Sequence, residues 1–140
     1  MSAPSCMNSR EWEFIVIRDK QTLRDISEFL EGNGRMLPTA DVGIVVCGNT
    51  GNAYKKFPSY WVIDCSLAAE NIIIAAEALG LGGVMLGVYP ETVRMDGISE
   101  YFCLPESIIP LMVLSIGVPA AKPASAVRYC PEKVHFEGWK

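Results

Sequence analysis

The segment that most constrains this fold is residues 60–90, YWVIDCSLAAENIIIAAEALGLGGVMLGVYP, which predicts an apolar helix, a glycine turn and a strand. The polar residues of the helix form two narrow stripes, Ser66, Glu70 and Glu77 on one and Asp64 and Asn71 on the other. A helix this apolar needs protein against nearly every face. We therefore expect residues 60–80 to be covered on one side by their own domain and on the other by a partner.

The length and composition support that expectation. A chain of 140 residues is predicted to form one domain over residues 1–140, which buries roughly two thirds of its unfolded surface. Half of the residues are hydrophobic, at the top of the globular range, which indicates a further apolar surface buried against a partner. The net charge of −4 argues against nucleic acid as a main partner, because a phosphate-binding face is basic.

The sequence predicts a reduced, cytoplasmic protein without a membrane span. No apolar run reaches the ~20 residues that a transmembrane helix needs, and no basic segment precedes an apolar one as in a signal peptide. The five cysteines are scattered without a Cys-x-x-Cys pair, and only one histidine accompanies them. Zinc sites and disulfide frameworks are therefore not expected.

Hydrophobic periodicity gives the order of the elements. Strands are predicted at 12–19, 41–49, 82–88 and 108–119. Helices are predicted at 20–32 and 60–80, with one or two short helices in 90–107. Gly32 is expected to end the first helix, and Pro90 is expected at a first helical position. Residues 120–140 form a proline-punctuated C-terminal extension. Alternating strands and helices favour an α/β or α+β fold around a central sheet.

Familiar catalytic motifs are missing from the sequence. It has no Gly-x-Ser-x-Gly elbow, and His135 lies in the tail. The glycines of residues 79–83, LGLGG, follow a helix and precede a strand, whereas a dinucleotide fingerprint needs the opposite order. What remains is three polar segments beside apolar elements, APSCMNSREW, NGRML and MLGVYP, which are suited to presenting N–H groups to a flat cofactor.

Three segments together resemble the nitroreductase family of flavin enzymes. YWVIDCSLAAENIIIAAEALGLGGVMLGVYPETV is similar to the long central helix and following strand of that family. APSCMNSREWEFIVI resembles its Ala-Pro-Ser-x-x-Asn-x-Gln-Pro-Trp segment. LPESIIPLMVLSIGVPAAKP, followed by RYCPEKVHFEGW, resembles its last core strand and C-terminal extension. The resemblance covers nearly the whole chain in order.

The resemblance implies an α+β fold, a nitroreductase-like three-layer sandwich in which helices flank a central, mainly antiparallel sheet. It also implies a homodimer with one FMN at each end of the interface, both subunits contributing to each site. The implied activity is hydride transfer from NAD(P)H, through flavin N5, to a nitro compound, a quinone or a similar acceptor. No catalytic side chain is expected, because the flavin carries the chemistry.

The resemblance also assigns candidate FMN contacts near the N-terminus. It implies that Pro4, Ser5 and Asn8 contact the flavin ring and ribityl chain, from the neighbouring subunit. Without it, these residues are a turn before a strand. Arg35 matches the family's basic position near the flavin pyrimidine edge, where a cation stabilises the reduced ring. The alternative for Arg35 is a solvated loop arginine.

Further candidates lie later in the chain. Leu86 and Gly87 match the strand end whose backbone N–H groups approach flavin N5 and O4, with ordinary strand packing as the alternative. A glycine there allows a close approach of the ring to the backbone. Arg128 matches the C-terminal basic residue that reaches the FMN phosphate, where a planar guanidinium suits the anion. Its alternative is a surface arginine.

Two differences from the family pattern leave a second function open. The usual N-terminal helix with its Arg-Arg-Ser-x-Arg motif for the FMN phosphate is not in this sequence, and Arg10-Glu11 stands where the family has Gln-Pro. The alternative function is therefore a weakly or non-catalytic, flavin-binding dimeric module. A third class, dehalogenation or flavin fragmentation on the same fold, needs lid or substrate motifs that this sequence does not contain.

Overall fold

The computed structural model describes residues 1–121 and 127–139. Its main elements are β1 (Trp12–Ile17), α1 (Lys20–Phe29), β2 (Val42–Asn49), α2 (Trp61–Ala78), β3 (Gly82–Gly87), α3 (Thr92–Tyr101) and β4 (Ile108–Gly117). Short 3₁₀ helices occupy several of the connections, including Glu31–Gly34 and Leu37–Thr39. These bounds agree with the predicted elements to within a few residues at each end.

The four strands form one antiparallel sheet in the order β1-β2-β4-β3. The two longest strands, β2 and β4, lie in the centre, which explains why both read as near-continuous apolar runs. In the described part of the chain, β1 and β3 are the edges of the sheet. The outer backbone groups of β3 therefore have no strand beside them within residues 1–121 and 127–139.

Helices cover both faces of the sheet and create two cores. One core joins α1 and α3 to the sheet through side chains such as Leu23, Ile26 and Ile98, all fully buried. The other joins α2 to the opposite face through Cys65, Ala69 and neighbouring small residues. The predicted α+β, three-layer architecture is confirmed.

Two predictions about helix ends were wrong. The first helix ends at Phe29 rather than Gly32, and a 3₁₀ turn over Glu31–Gly34 continues the chain. Pro90 is not a first helical position, since α3 begins at Thr92 after the N-cap Glu91. The start of α1 is well defined, because the Asp19 carboxylate accepts a hydrogen bond from the Thr22 N–H at 2.7 Å.

The small residues of α2 and β2 let the helix lie close to the sheet. A Cβ added to Gly48 would lie 2.2 Å from Trp61 Cε3, so only glycine admits the indole there. Ile72 and Ile73 are partly buried and Ala76 is buried, all in contact with the second core. The opposite side of α2 exposes Ile63, Leu67 and Ile74.

The rest of the chain adds little to the core. Within residues 1–121 and 127–139, no helix combines the length and apolarity required to cross a membrane. The C-terminal segment from residue 127 is largely exposed and contains the short 3₁₀ helix Pro131–Lys133. Residues 122–126 of the predicted 120–140 extension, and residue 140, lie outside the described residues.

Candidate functional site

The chain enters β1 through a tight turn over residues 5–10, the N-terminal turn. Met7, Asn8 and Arg10 all have positive φ values, between 50° and 59°. Asparagine tolerates this left-handed conformation, but methionine and arginine adopt it only when surrounding contacts hold it. Internal contacts include the Arg10 N–H donating to Ser5 Oγ at 3.0 Å and Arg10 Nε donating to Asn8 Oδ1 at 2.9 Å.

A long-range hydrogen bond fastens the N-terminal turn to α2. The Cys6 N–H donates to Asp64 Oδ2 at 2.8 Å, across 58 positions of sequence. Asp64 is 3% exposed, and burial raises the pKa of its carboxyl. The Glu11 side chain contributes to the same rise through a hydrogen bond and its charge, while the Cys6 N–H opposes it. The turn that carries Ser5 and Asn8, and that follows Pro4, is thus positioned by a buried acid on α2.

The end of β3 presents its backbone to the free edge of the sheet. The Val88 N–H donates to the Leu111 carbonyl at 3.1 Å, so by antiparallel alternation the N–H of Gly87 points away from β4. A Cβ added to Gly87 would meet no heavy atom within 4 Å. The neighbouring Leu86 is buried in the core beneath α1 and α3, so its side chain serves packing.

Sequence reasoning missed one basic residue at this strand end. Arg94, on α3, donates from Nη1 to the Gly87 carbonyl at 3.1 Å, and its Nη2 lies 4.0 Å from Glu31 Oε2. Glu31 begins the 3₁₀ turn that leads directly into Arg35, which is exposed. Arg94 therefore links the end of β3 to the loop carrying Arg35. No motif in the sequence singles it out.

The N-terminal end of α2 connects the two parts of the candidate site. Asp64 holds the N-terminal turn, and the Trp61 ring meets the Tyr89 ring edge-on with centroids 5.2 Å apart, two residues beyond Gly87. Pro4 and Asn8 are exposed, and Ser5 is partly buried. Through Asp64 and Trp61, the first turn of α2 thus contacts both the N-terminal turn, at Cys6, and the segment that follows Gly87, at Tyr89.

Arg128 stands apart from this arrangement. It is exposed in the irregular C-terminal segment. Two shallow depressions lie on the surface of the described residues. One is lined by Thr50 and residues 105–107 and the other by Glu132 and residues 134–136. None of the predicted site residues lines either of them.

Cys47 and Cys65 are buried free thiols. Burial raises the pKa of both Cys47 and Cys65 to about 12. Cys65 also donates to the Cys47 carbonyl at 3.4 Å. Within the described residues no three His, Cys, Asp or Glu side chains are grouped as metal ligands. Cys47 and Cys65 are therefore not reactive thiols.

This chain is similar to one group of proteins that share its architecture. That architecture is a three-layer α+β sandwich with a long apolar helix and a free strand end. The profile described as "Nitroreductase: Nitroreductase family" matches residues 26–118. That match covers more than half of the chain. The chain belongs to the nitroreductase family.

Individual relatives extend the similarity to the whole chain. A protein of Methanothermobacter thermautotrophicus, provisionally named NADH dehydrogenase/NAD(P)H nitroreductase, is 41% identical over 99% of this chain and 71% of its own length. A crystal structure with the same provisional name, from Parabacteroides distasonis, is 37% identical and has a TM-score of 0.89, covering 99% of this chain and 80% of that one. An FMN-dependent nitroreductase from Clostridium difficile is 28% identical with a TM-score of 0.89, covering 98% and 81%.

Proposed function

We propose that this protein is an FMN-dependent oxidoreductase that uses NAD(P)H to reduce a nitro compound, a quinone or a similar acceptor. The observation that carries the proposal is membership of the nitroreductase family across residues 26–118. The printed names of two full-length relatives, an NAD(P)H nitroreductase and an FMN-dependent nitroreductase, support the co-substrate and the cofactor. Bound FMN would supply the redox chemistry, a hydride acceptor at N5 for NAD(P)H and an electron donor for the acceptor, while the residues of this chain would bind and orient it.

The residues at the end of β3 suit a flat, electron-accepting ring. Gly87 offers an outward N–H and open space where a side chain would stand. The backbone of Leu86 and Gly87 would approach the ring, while the Leu86 side chain anchors the strand in the core. Arg35 would place a cation beside the pyrimidine edge and stabilise charge on the reduced ring. Arg94 would hold the Gly87 carbonyl in position.

The site is completed by a second copy of the chain. Ile63, Leu67 and Ile74 form an exposed apolar face on α2, which a homodimer interface would cover. The N-terminal turn, with exposed Asn8 and the exposed Pro4 just before it, lies at the end of the same helix and would reach the FMN of the neighbouring subunit. A dimer with a site at each end of the interface accounts for both features.

The C-terminal extension would hold the phosphate. Arg128 is exposed, and its guanidinium is suited to a phosphate group. We treat residues 1–140 as one nitroreductase-like domain with 120–140 as this extension. The five free thiols suit a reducing, cytoplasmic setting.

A titration combined with turnover tests the proposal. Purified protein is titrated with FMN, following flavin fluorescence, and the loaded protein is then given NADH or NADPH with a quinone or a nitroaromatic acceptor. We expect FMN binding and acceptor-dependent oxidation of the nicotinamide, both reduced in Gly87→Val. Binding without turnover would favour the flavin-binding module instead. Absence of binding at millimolar FMN would refute both functions.

A further inference from the structure

We propose that Glu11 and Asp64 share one proton, and that this carboxyl pair makes the position of the N-terminal turn dependent on pH. The pair joins the residue before β1 to the first turn of α2. Neither residue has been assigned a role in binding flavin. The inference concerns how the turn that carries Ser5 and Asn8 is held.

The first observation is that both acids are buried. Glu11 is 0% exposed and Asp64 is 3% exposed. The one ion pair within residues 1–121 and 127–139 joins Arg94 to Glu31, so no basic side chain of the described chain neutralises either acid. Two adjacent ionised carboxylates without a counter-ion are strongly disfavoured at such a position.

The second observation is an oxygen without a partner. Glu11 Oε2 is buried and accepts no hydrogen bond from the described donors. Its other oxygen, Oε1, lies 2.7 Å from Ser9 Oγ, whose single proton is shared with the Cys6 carbonyl at 2.5 Å. Asp64 already accepts from the Cys6 N–H through Oδ2. A protonated Asp64 that donates to Glu11 gives the otherwise unpartnered Glu11 Oε2 its hydrogen-bond donor.

The titratable groups around the pair favour the same state. Burial, followed by the interactions with Glu11, raises the pKa of Asp64 above that of an ordinary aspartic acid. The facing thiols are Cys6 and Cys65, each with a raised pKa, and Cys47 behind Cys65. These three thiols stay neutral over the pH range in which the carboxyl pair would lose its proton. The acids are therefore the groups that set the charge of this site.

The hydrogen bonds of the pair couple its charge to the turn. Cys6 contributes its N–H to Asp64 and its carbonyl to Ser9, and Ser9 contacts Glu11. When the shared proton leaves, two buried negative charges repel at the base of a turn whose Met7 and Arg10 already have positive φ. Opening of the turn would let water reach the carboxylates. Loss of the proton should therefore release residues 5–10 from α2.

The sign of the pH dependence follows from the raised pKa. Between the ordinary aspartate pKa of ~3.9 and the folded value, the folded chain binds more protons than the unfolded chain. The unfolding free energy consequently falls as pH rises through that window. Asp64→Asn removes this slope, because an amide keeps an acceptor for Cys6 and a donor for Glu11 at every pH.

Infrared spectroscopy and amide hydrogen exchange test the pair on the protein without flavin. In the wild type, the carbonyl band of a protonated carboxyl should persist above the pH at which ordinary aspartic and glutamic acids have ionised. Protection of the Cys6 amide, corrected for intrinsic exchange, should fall about tenfold or more as that band disappears. In Asp64→Asn the band should be missing and the protection independent of pH.

Two further variants keep the test decisive if Asp64→Asn does not fold. Glu11→Gln should move the loss of the band and of Cys6 protection to lower pH. The introduced amide donates to Asp64, and the negative charge of Glu11 is removed. Glu13→Gln, an exposed acid on β1, should leave the step unchanged. The proposal is overturned if every carboxyl band of the wild type disappears over the pH range in which ordinary carboxyls ionise, or if Cys6 protection shows no step where the band is lost.

The consequence for flavin rests on the proposed function and is measured separately. FMN affinity of the wild type should weaken across the same pH step, whereas that of Asp64→Asn should not. If FMN fails to bind at any pH while band and protection change together, the carboxyl pair stands and the flavin function fails. If FMN binds but the band of the protonated carboxyl is missing, the shared-proton proposal is wrong and the flavin function stands.

Discussion

Replacing Ile74 by aspartate should dissociate the proposed dimer. Ile63, Leu67 and Ile74 are 52%, 40% and 55% exposed on one face of α2. Full burial of such a side chain contributes about 1.5–3 kcal/mol, so covering the exposed half contributes about 1 kcal/mol. In a two-fold interface each residue counts twice, so loss of the Ile74 pair costs about 2 kcal/mol, or roughly thirtyfold in Kd.

Aspartate adds the cost of burying a charge to that loss. We therefore expect the dissociation constant of Ile74→Asp to rise by about a hundredfold or more. Sedimentation velocity across micromolar concentrations measures it, with circular dichroism confirming that the helix is intact. Val93→Asp is the matched control, since Val93 is 77% exposed on α3 in the opposite layer. A wild type that sediments as a monomer, or an Ile74→Asp dimer as tight as the wild type, would refute the reasoning.

Three further outcomes are expected. Gly87→Val should lower flavin content while leaving the thermal midpoint within a few degrees, because the added side chain meets open space in the free chain. Arg128→Ala should weaken FMN binding by about tenfold or more through loss of a charge-assisted contact, whereas Lys133→Ala should not. The Cys47 and Cys65 thiols should resist a thiol-specific reagent at neutral pH until the protein unfolds, because burial raises both pKa values to about 12.

Each of these outcomes has a direct contradiction. Equal flavin content in Gly87→Val and wild type would mean that the end of β3 is not where the ring lies. Equal FMN dissociation constants for Arg128→Ala and Lys133→Ala would show that Arg128 is a surface residue that does not contact FMN. Rapid labelling of four or more thiols in the native protein would show that the core around Cys65 opens readily.

The architecture was readable from the sequence because each element carries its own periodicity. The unbroken apolar run of β2 predicted a strand covered on both faces, and that strand is central in the sheet. The apolar α2 predicted cover from two sides, and the structure provides one of them. The end of α1 was less predictable, because the helix stops at Phe29, before the first glycine, and the chain continues as a 3₁₀ turn over Glu31–Gly34.

The contacts that complete the candidate site could not be read from the sequence. Asp64 looked like part of a polar stripe, yet it is buried because a turn 58 residues earlier folds over it. Glu11 preceded the first predicted strand, where the family has Gln-Pro, and nothing in the sequence indicated that it is fully buried. Arg94 contacts Gly87 only because α3 folds back towards β3. Each of these contacts depends on tertiary structure that no local pattern encodes.

Anaerobic reduction of bound flavin tests the central claim most directly. The protein is loaded with FMN, freed of excess cofactor and mixed with NADH or NADPH while the visible absorption of oxidised flavin is followed. We expect one flavin per chain and bleaching of the band much faster than for free FMN at the same nicotinamide concentration. Failure to retain flavin, or bleaching no faster than in free solution, would contradict the proposed function.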